Sequence, residues 1–348
     1  MAGPSSVGLA SGPLARLGDA QALTAGGQAM MLARDMVNFE RIVAARQQLT
    51  GQVRLTPMLL AQPLRQSLLE SSQVFLKLEC LQITGSFKAR GALSSLAQVS
   101  PSQLRRGVVT ASGGNHGLGV AYAGWRAGIQ TTVFLPSSTP AAKAEKLLAW
   151  GVEVIRAGHV WDDANEAALR FASLHGAHYV HPFADPEVVV GQGTLGLEIL
   201  EQQPDIDVLV VAIGGGGLIS GVSVAAHALR PGIRIIGVEP VGAPTLHDSL
   251  RAGRIIELAQ IETAAGTLAP RRTAQLNLDL VRAHVEQVVL VSDDQMRLAA
   301  QYLWRELGVA AELSGAAAVA ALLSGLVPAQ PHERVCAIVC GAGTDGIP

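Results

Sequence analysis

The run Leu81-Gln82-Ile83-Thr84-Gly85-Ser86-Phe87-Lys88-Ala89-Arg90-Gly91-Ala92 decides how this chain is read. An alternating segment, Val74 to Leu78, precedes it and reads as a strand, and the run itself reads as a turn followed by a helix start. Turns of this kind in open α/β sheets present side chains to a crevice at the carboxyl ends of the strands. Lys88 is therefore placed as a reagent rather than as one solvated lysine among many. Beside an aromatic ring and under a helix N-terminus, its amine sheds part of its hydration. That favours the neutral nucleophile needed for a Schiff base with a carbonyl group.

Two further loops supply the context. Ser112-Gly113-Gly114-Asn115-His116-Gly117 follows the expected strand Gly107 to Ala111 and opens a helix running to Ala127. Gly214-Gly215-Gly216-Gly217-Leu218 follows the apolar strand Val208 to Ile213 and opens another. In both, glycines let backbone N–H groups converge on an anion at a positive helix end, so one loop suits a phosphate and the other a carboxylate. The four-glycine turn is not a P-loop, because no Gly-Lys-Ser/Thr follows. Ser112 or Asn115 serves equally well as a cap for the helix behind it.

From Val37 onward strands and helices alternate, which predicts an α/β fold of mainly parallel twisted sheets flanked by helices. Further strands are expected at Thr131 to Leu135, Val152 to Arg156, His178 to Val180, Arg234 to Glu239, Val285 to Val291 and Arg334 to Cys340. With 348 residues, 49% hydrophobic and 16% charged, the chain has room for a large core and two lobes. A net charge of −2 argues against a nucleic-acid partner. Cys80, Cys336 and Cys340 are too few and too scattered for a disulfide framework, so a reducing, cytoplasmic setting is expected. The uncharged stretches Val208 to Ala226 and Leu313 to Gln330 read as buried elements rather than membrane spans. Residues 1–36 read as a flexible Gly/Ala/Ser-rich arm, with Met31 or Met36 as alternative starts.

At the three loops the sequence resembles the fold type II pyridoxal phosphate enzymes, in particular the threonine/serine dehydratase and serine racemase branch. The likeness runs from about Val37 to Asp345, and the motifs agree in type, order and spacing. It implies that pyridoxal 5′-phosphate is carried on Lys88 with Phe87 against one ring face, and that Gly214, Gly215, Gly216, Gly217 and Leu218 hold its phosphate. Asn115 would meet the 3′ oxygen, and Cys340 would face the pyridine nitrogen as a neutral thiol. Ser112, with the backbone of Gly113, Gly114, Asn115 and His116, would hold the substrate carboxylate. The resemblance also implies a small mobile domain over 107–183 set into a larger one of 37–106 and 184–348. The protein is expected to act on a small-molecule amino acid, without a membrane partner, as a homodimer or homotetramer.

Departures from the family pattern narrow the activity. Racemases of this branch carry a serine where Gly113 stands, as the base on the far face of Cα; without it, elimination should outweigh racemisation. A neutral thiol at position 340 gives a weaker electron sink than a carboxylate, which suits β-elimination. Of the family's cation site, Glu239 and Ala243 match, but Thr245 replaces an aspartate, so no metal is expected there. Glu312 is kept within a changed Glu312-Leu313-Ser314 run, and Gly343 stands where asparagine is frequent. The expected reaction is dehydration and deamination of a β-hydroxy-α-amino acid such as threonine or serine to a 2-oxo acid and ammonia. The alternatives are an amino-acid racemase, a bulkier substrate such as phenylserine or hydroxyaspartate, or a non-catalytic cofactor carrier.

Other patterns point elsewhere without carrying chemistry. Gly191-Gln192-Gly193-Thr194-Leu195-Gly196 satisfies a dinucleotide pattern after a short apparent strand, Val188 to Val190, but no acidic residue ends a second strand about 20 residues on. His175, His178 and His181 alternate across an expected strand and lack metal-ligand spacing. Trp161-Asp162-Asp163 reads as a helix start that also borders the substrate mouth.

Overall fold

A computed structural model of the protein describes residues 32–33, 35–62 and 65–347. Most of the arm expected over residues 1–36 lies outside them. Of its residues that are described, 32–33 and 35–36 are helical, and Ala33 is buried in a cluster with Val37 and Ile42.

Ten strands among the described residues form two sheets. The first is six-stranded, in the order β1 (Met58–Leu60), β2 (Gln73–Lys77), β10 (Arg334–Ile338), β7 (Val208–Ala212), β8 (Arg234–Pro240) and β9 (Gln287–Val291). All its pairings are parallel except the one between β1 and β2. The second is four-stranded and parallel, in the order β5 (Glu153–Arg156), β4 (Thr131–Leu135), β3 (Val108–Ala111) and β6 (His178–Tyr179). Strand ends move inward by a residue or two in several places. Arg334 to Cys340, for example, stops at Ile338, which leaves Cys340 in the loop beyond. The edge strand β1 had no legible pattern, since its three residues do not alternate in burial.

The topology places the functional loops. Strands β2, β10 and β7 are neighbours and run parallel, so the segments leaving their carboxyl ends share one edge of the sheet. Those segments carry Lys88, Cys340 and the four glycines. In the second sheet β3 and β6 are likewise adjacent, and they feed the Ser112 loop and the segment Val180 to Phe183.

Val188 to Val190 corrects an expectation. These residues lie inside the helix Pro186–Gln202, so the dinucleotide-like glycines are helical too. They allow close helix packing. A Cβ on Gly191 would lie 2.6 Å from the Arg90 carbonyl oxygen, and one on Gly193 would lie 2.9 Å from that of Gly221. Reciprocally, a Cβ on Gly221 would meet the Val189 carbonyl oxygen at 2.2 Å. Pro186–Gln202 thereby nests against both the Lys88–Ala97 helix and the Gly217–Leu229 helix.

The same helix closes a buried ionic cluster. Arg90 pairs with Glu79 at 2.7 Å and Glu198 at 2.8 Å, Lys77 pairs with Glu198 at 2.6 Å, and all four side chains are fully buried. Thr56 adds its hydroxyl to Glu79 and its backbone N–H to Glu198. Two positive and two negative groups thus satisfy one another across β2, the turn after it and two helices.

The three cysteines are free and buried, and no described helix is long and apolar enough to cross a membrane. The first uncharged stretch resolves into β7, the glycine turn and the Gly217–Leu229 helix; the second contains the helix Leu313–Leu323.

Because backbone atoms cannot yield as a flexible side chain does, Gly221→Ala should lower stability by about 1–3 kcal/mol. Gly232→Ala, where an added Cβ meets nothing within 4 Å, should stay within about 0.5 kcal/mol. Urea unfolding of the two variants compares them directly, and equal midpoints would contradict the packing account.

Candidate active site

Lys88 opens its helix behind Phe87, which makes no side-chain capping bond. Its amine donates to the Pro182 carbonyl at 2.8 Å and lies 5.1 Å from the centre of the Phe87 ring. The stem keeps some exposure, but the amine is surrounded by protein, and that burial lowers its pKa to about 8 against weaker opposing effects of Cys340 and Glu312. The expected desolvation is therefore present.

The four-glycine turn faces the amine. Phe87, Lys88, Asn115, Phe183, Ala212, Gly214 to Leu218, Thr267, Leu268, Glu312 and Cys340 line one pocket. Gly216 has φ 96°, a left-handed conformation that glycine adopts freely, and the helix it starts has no side-chain cap. The Gly215 carbonyl accepts from Asn277 at 2.8 Å and from Thr273 at 3.0 Å. Since the peptide is planar and trans, that anchorage turns the Gly216 N–H the opposite way. Phe183 covers the turn so closely that a Cβ on Gly215 would lie 2.2 Å from its ring.

In the second loop Gly114 is the N-cap residue of the helix Asn115–Ala127, and no side chain caps that helix. Neither Ser112 nor Asn115 is used as a cap. The Ser112 hydroxyl accepts from the Gly114 N–H at 3.3 Å, while the Asn115 amide donates to Glu312 at 2.7 Å. Gly119 brings this helix against the start of the Lys88 helix, where a Cβ would meet the Lys88 carbonyl at 2.9 Å. A Cβ on Gly113 would meet Thr139 Cγ2 at 2.9 Å and Leu135 Cδ2 at 3.3 Å.

His116 is buried and turned toward Val180, whose carbonyl lies 3.1 Å from Nε2. Burial holds its pKa well below the ordinary range, so the ring is neutral and donates from Nε2, and Nδ1 has no hydrogen-bond partner. Ser112, Gly113, Gly114 and His116 thus border the pocket's second loop without lining the pocket itself.

The Cys340 thiol points at the Ser314 carbonyl, 3.6 Å away, and burial pushes its pKa far above neutrality, so it is an uncharged S–H. Glu239 and Ala243 are not brought to this pocket. Both Glu239 oxygens accept backbone N–H groups, from Leu246 and His247 at 2.8 Å each, and so cap the helix Thr245–Ala252. The Ala243 carbonyl accepts from the Thr245 N–H at 2.9 Å. The three histidines have separate partners: His175 the Phe171 carbonyl, His178 the Ser95 hydroxyl, and His181 the N–H groups of Phe183 and Ala184. Trp161 starts its helix and donates to the Ala111 carbonyl at 2.9 Å, and Asp162 approaches Arg271 at 4.0 Å.

Sequence reasoning noted Glu312 but gave it no role, and it missed Thr267 and Phe183. Glu312 accepts from the Thr267 hydroxyl at 3.1 Å as well as from Asn115, and burial raises its carboxyl to about 7. A lone acid at the head of the apolar run 313–323 was the available signal.

A dry amine, uncapped N–H groups at a glycine turn, an amide and a neutral thiol around one pocket fit an aldehyde cofactor with an anionic tail and a ring nitrogen. The comparisons agree. The family described as "Pyridoxal-phosphate dependent enzyme" matches residues 49–341. An L-threonine ammonia-lyase from Thermotoga maritima is 40% identical over 310 residues, 89% of this chain and 76% of that protein. A phenylserine dehydratase from Ralstonia pickettii is also 40% identical, over 77% of this chain and 82% of its own length. The solved structure of maize serine racemase superposes with a TM-score of 0.83 at 34% identity, covering 88% of this chain and 93% of that one. The match over most of the length and the pocket around Lys88 lead to one conclusion: this chain belongs to the fold type II pyridoxal phosphate-dependent enzymes.

Proposed function

We propose that the protein is an ammonia-lyase that dehydrates and deaminates a small β-hydroxy-α-amino acid, with L-threonine or L-serine as first substrates, to a 2-oxo acid and ammonia. The observation that carries this reading is the dry Lys88 amine beside an uncapped four-glycine helix start and a neutral Cys340 thiol. When bound, pyridoxal phosphate supplies an aldehyde that captures an amine and a ring that acidifies the adjacent Cα. Lys88 then takes the Cα proton as general base, which its lowered pKa permits near neutral pH.

The N–H groups of Gly214 to Leu218 are assigned to the phosphate, Asn115 to the 3′ oxygen and the Phe87 ring to one cofactor face. Ser112 and the N–H groups of residues 113 to 116 are assigned to the substrate carboxylate. A thiol cannot hold a charge on the ring nitrogen as a carboxylate would, which disfavours reactions needing a long-lived carbanion. The lobe 107–183 is taken as the mobile one, closing on the remainder, 37–106 and 184–348. Cytoplasmic location and a homodimer or homotetramer complete the reading.

Racemisation is the second reading, supported by the likeness to maize serine racemase. Gly113 weighs against it, because no acid or base stands there. A bulkier substrate is in keeping with the phenylserine dehydratase relative. A panel of β-hydroxy amino acids assayed for 2-oxo acid and ammonia separates these substrates.

Lys88→Ala should abolish 2-oxo acid formation together with the visible absorbance of the bound cofactor; normal turnover in that variant would refute the role of the amine. In the cofactor-free protein, the rate of cofactor capture should rise with pH and level off above about 8, as the ammonium loses its proton. A rate still climbing near pH 10, as for a solvated lysine with a pKa of about 10.4, would contradict a dry amine. Gly113→Ser combined with Thr139→Ala, which makes room for the new side chain, should raise the ratio of D-isomer to 2-oxo acid in deuterated buffer. An unchanged ratio would remove Gly113 from the argument.

A further inference from the structure

The pocket contains one ionisable group without an assigned task. Glu312 lies between the loop after β10 and the start of the Leu313–Leu323 helix, and glycines make room for it. A Cβ on Gly341 would lie 2.4 Å from Glu312 Oε1 and 3.1 Å from Asn115 Nδ2, and one on Gly343 would lie 2.7 Å from Glu312 Cβ. Oε1 accepts both the Asn115 amide, at 2.7 Å, and the Thr267 hydroxyl, at 3.1 Å. Thr267 is braced in turn by the Ser314 hydroxyl.

An ionised carboxylate only accepts hydrogen bonds, so it dictates which end of a facing amide it meets. One Asn115 N–H is spent on Glu312, a primary amide carries a second, and Asn115 lines the pocket.

We propose that Glu312 is a positioning residue: braced by Thr267, it holds the Asn115 amide so that its second N–H serves the cofactor's 3′ oxygen. The inference rests on the cofactor assignment made above. Burial, with Asp345 adding repulsion, raises the Glu312 carboxyl to about 7, while Asn115, Thr267 and Lys143 work in the opposite direction. Lys88 and Cys340 are the other ionisable groups that sense it. Protonation near neutrality releases the amide, because a carboxylic acid also donates and no longer selects the nitrogen.

The test measures pyridoxal phosphate dissociation constants and the pH dependence of the visible absorbance for wild type, Glu312→Gln, Glu312→Ala, Asn115→Ala and the Glu312→Ala/Asn115→Ala double variant. Glu312→Ala should weaken cofactor binding by about tenfold, the scale of one charge-assisted hydrogen bond. If Glu312 acts through Asn115, the double variant should bind no more weakly than Asn115→Ala alone. Glu312→Gln keeps an acceptor oxygen for both donors, so it should bind within about threefold of wild type yet lose the absorbance change near pH 7. Losses that multiply in the double variant, or a pH step that survives in Glu312→Gln, would overturn the positioning role alone. A wild-type protein with no visible band would sink the cofactor assignment and this role together.

Discussion

An arginine cannot be buried alone, and Arg90 is fully buried two residues beyond Lys88. Its partners, Glu79 from the turn after β2 and Glu198 from the Pro186–Gln202 helix, leave one arrangement that satisfies both carboxylates, with Lys77 of β2 completing the neutral set. A shift of the Lys88 helix along its axis would strand charges in a medium that solvates them poorly. The cluster therefore sets where that helix begins, and so where its first side chain stands relative to the glycine turn. Everything chemical in the pocket is measured from that point.

Much of this was legible in the chain. The three loops announced themselves because each joins a strand to a helix with glycine where backbone must approach an anion, and the resemblance carried by Ser86 to Gly91 supplied the cofactor. The alternation of strands gave the α/β class. Adjacency was harder to foresee, since the order β2, β10, β7 brings segments from both ends of the sequence side by side. Thus Cys340 and Phe87, far apart in the chain, share a backbone hydrogen bond of 3.4 Å.

The misreadings have physical causes. Val188 to Val190 resembled a strand because β-branched residues favour one, yet tertiary packing decided the matter: the glycines that follow are needed where two helices touch on either side. Ser112 and Asn115 matched a capping signature, but the Asn115 amide is drawn off by Glu312, a partner 197 residues away that no local pattern reveals.

The place of β10 has a consequence for synthesis. It is the last described strand to leave the ribosome, yet it sits between β2 and β7, in the middle of its sheet. Until it emerges, the nascent chain holds two unpaired apolar strand edges with no partner to close them. The sheet is then completed by insertion rather than by growth at its margin, so ribosome-associated holdases have a defined window in which to shield those edges.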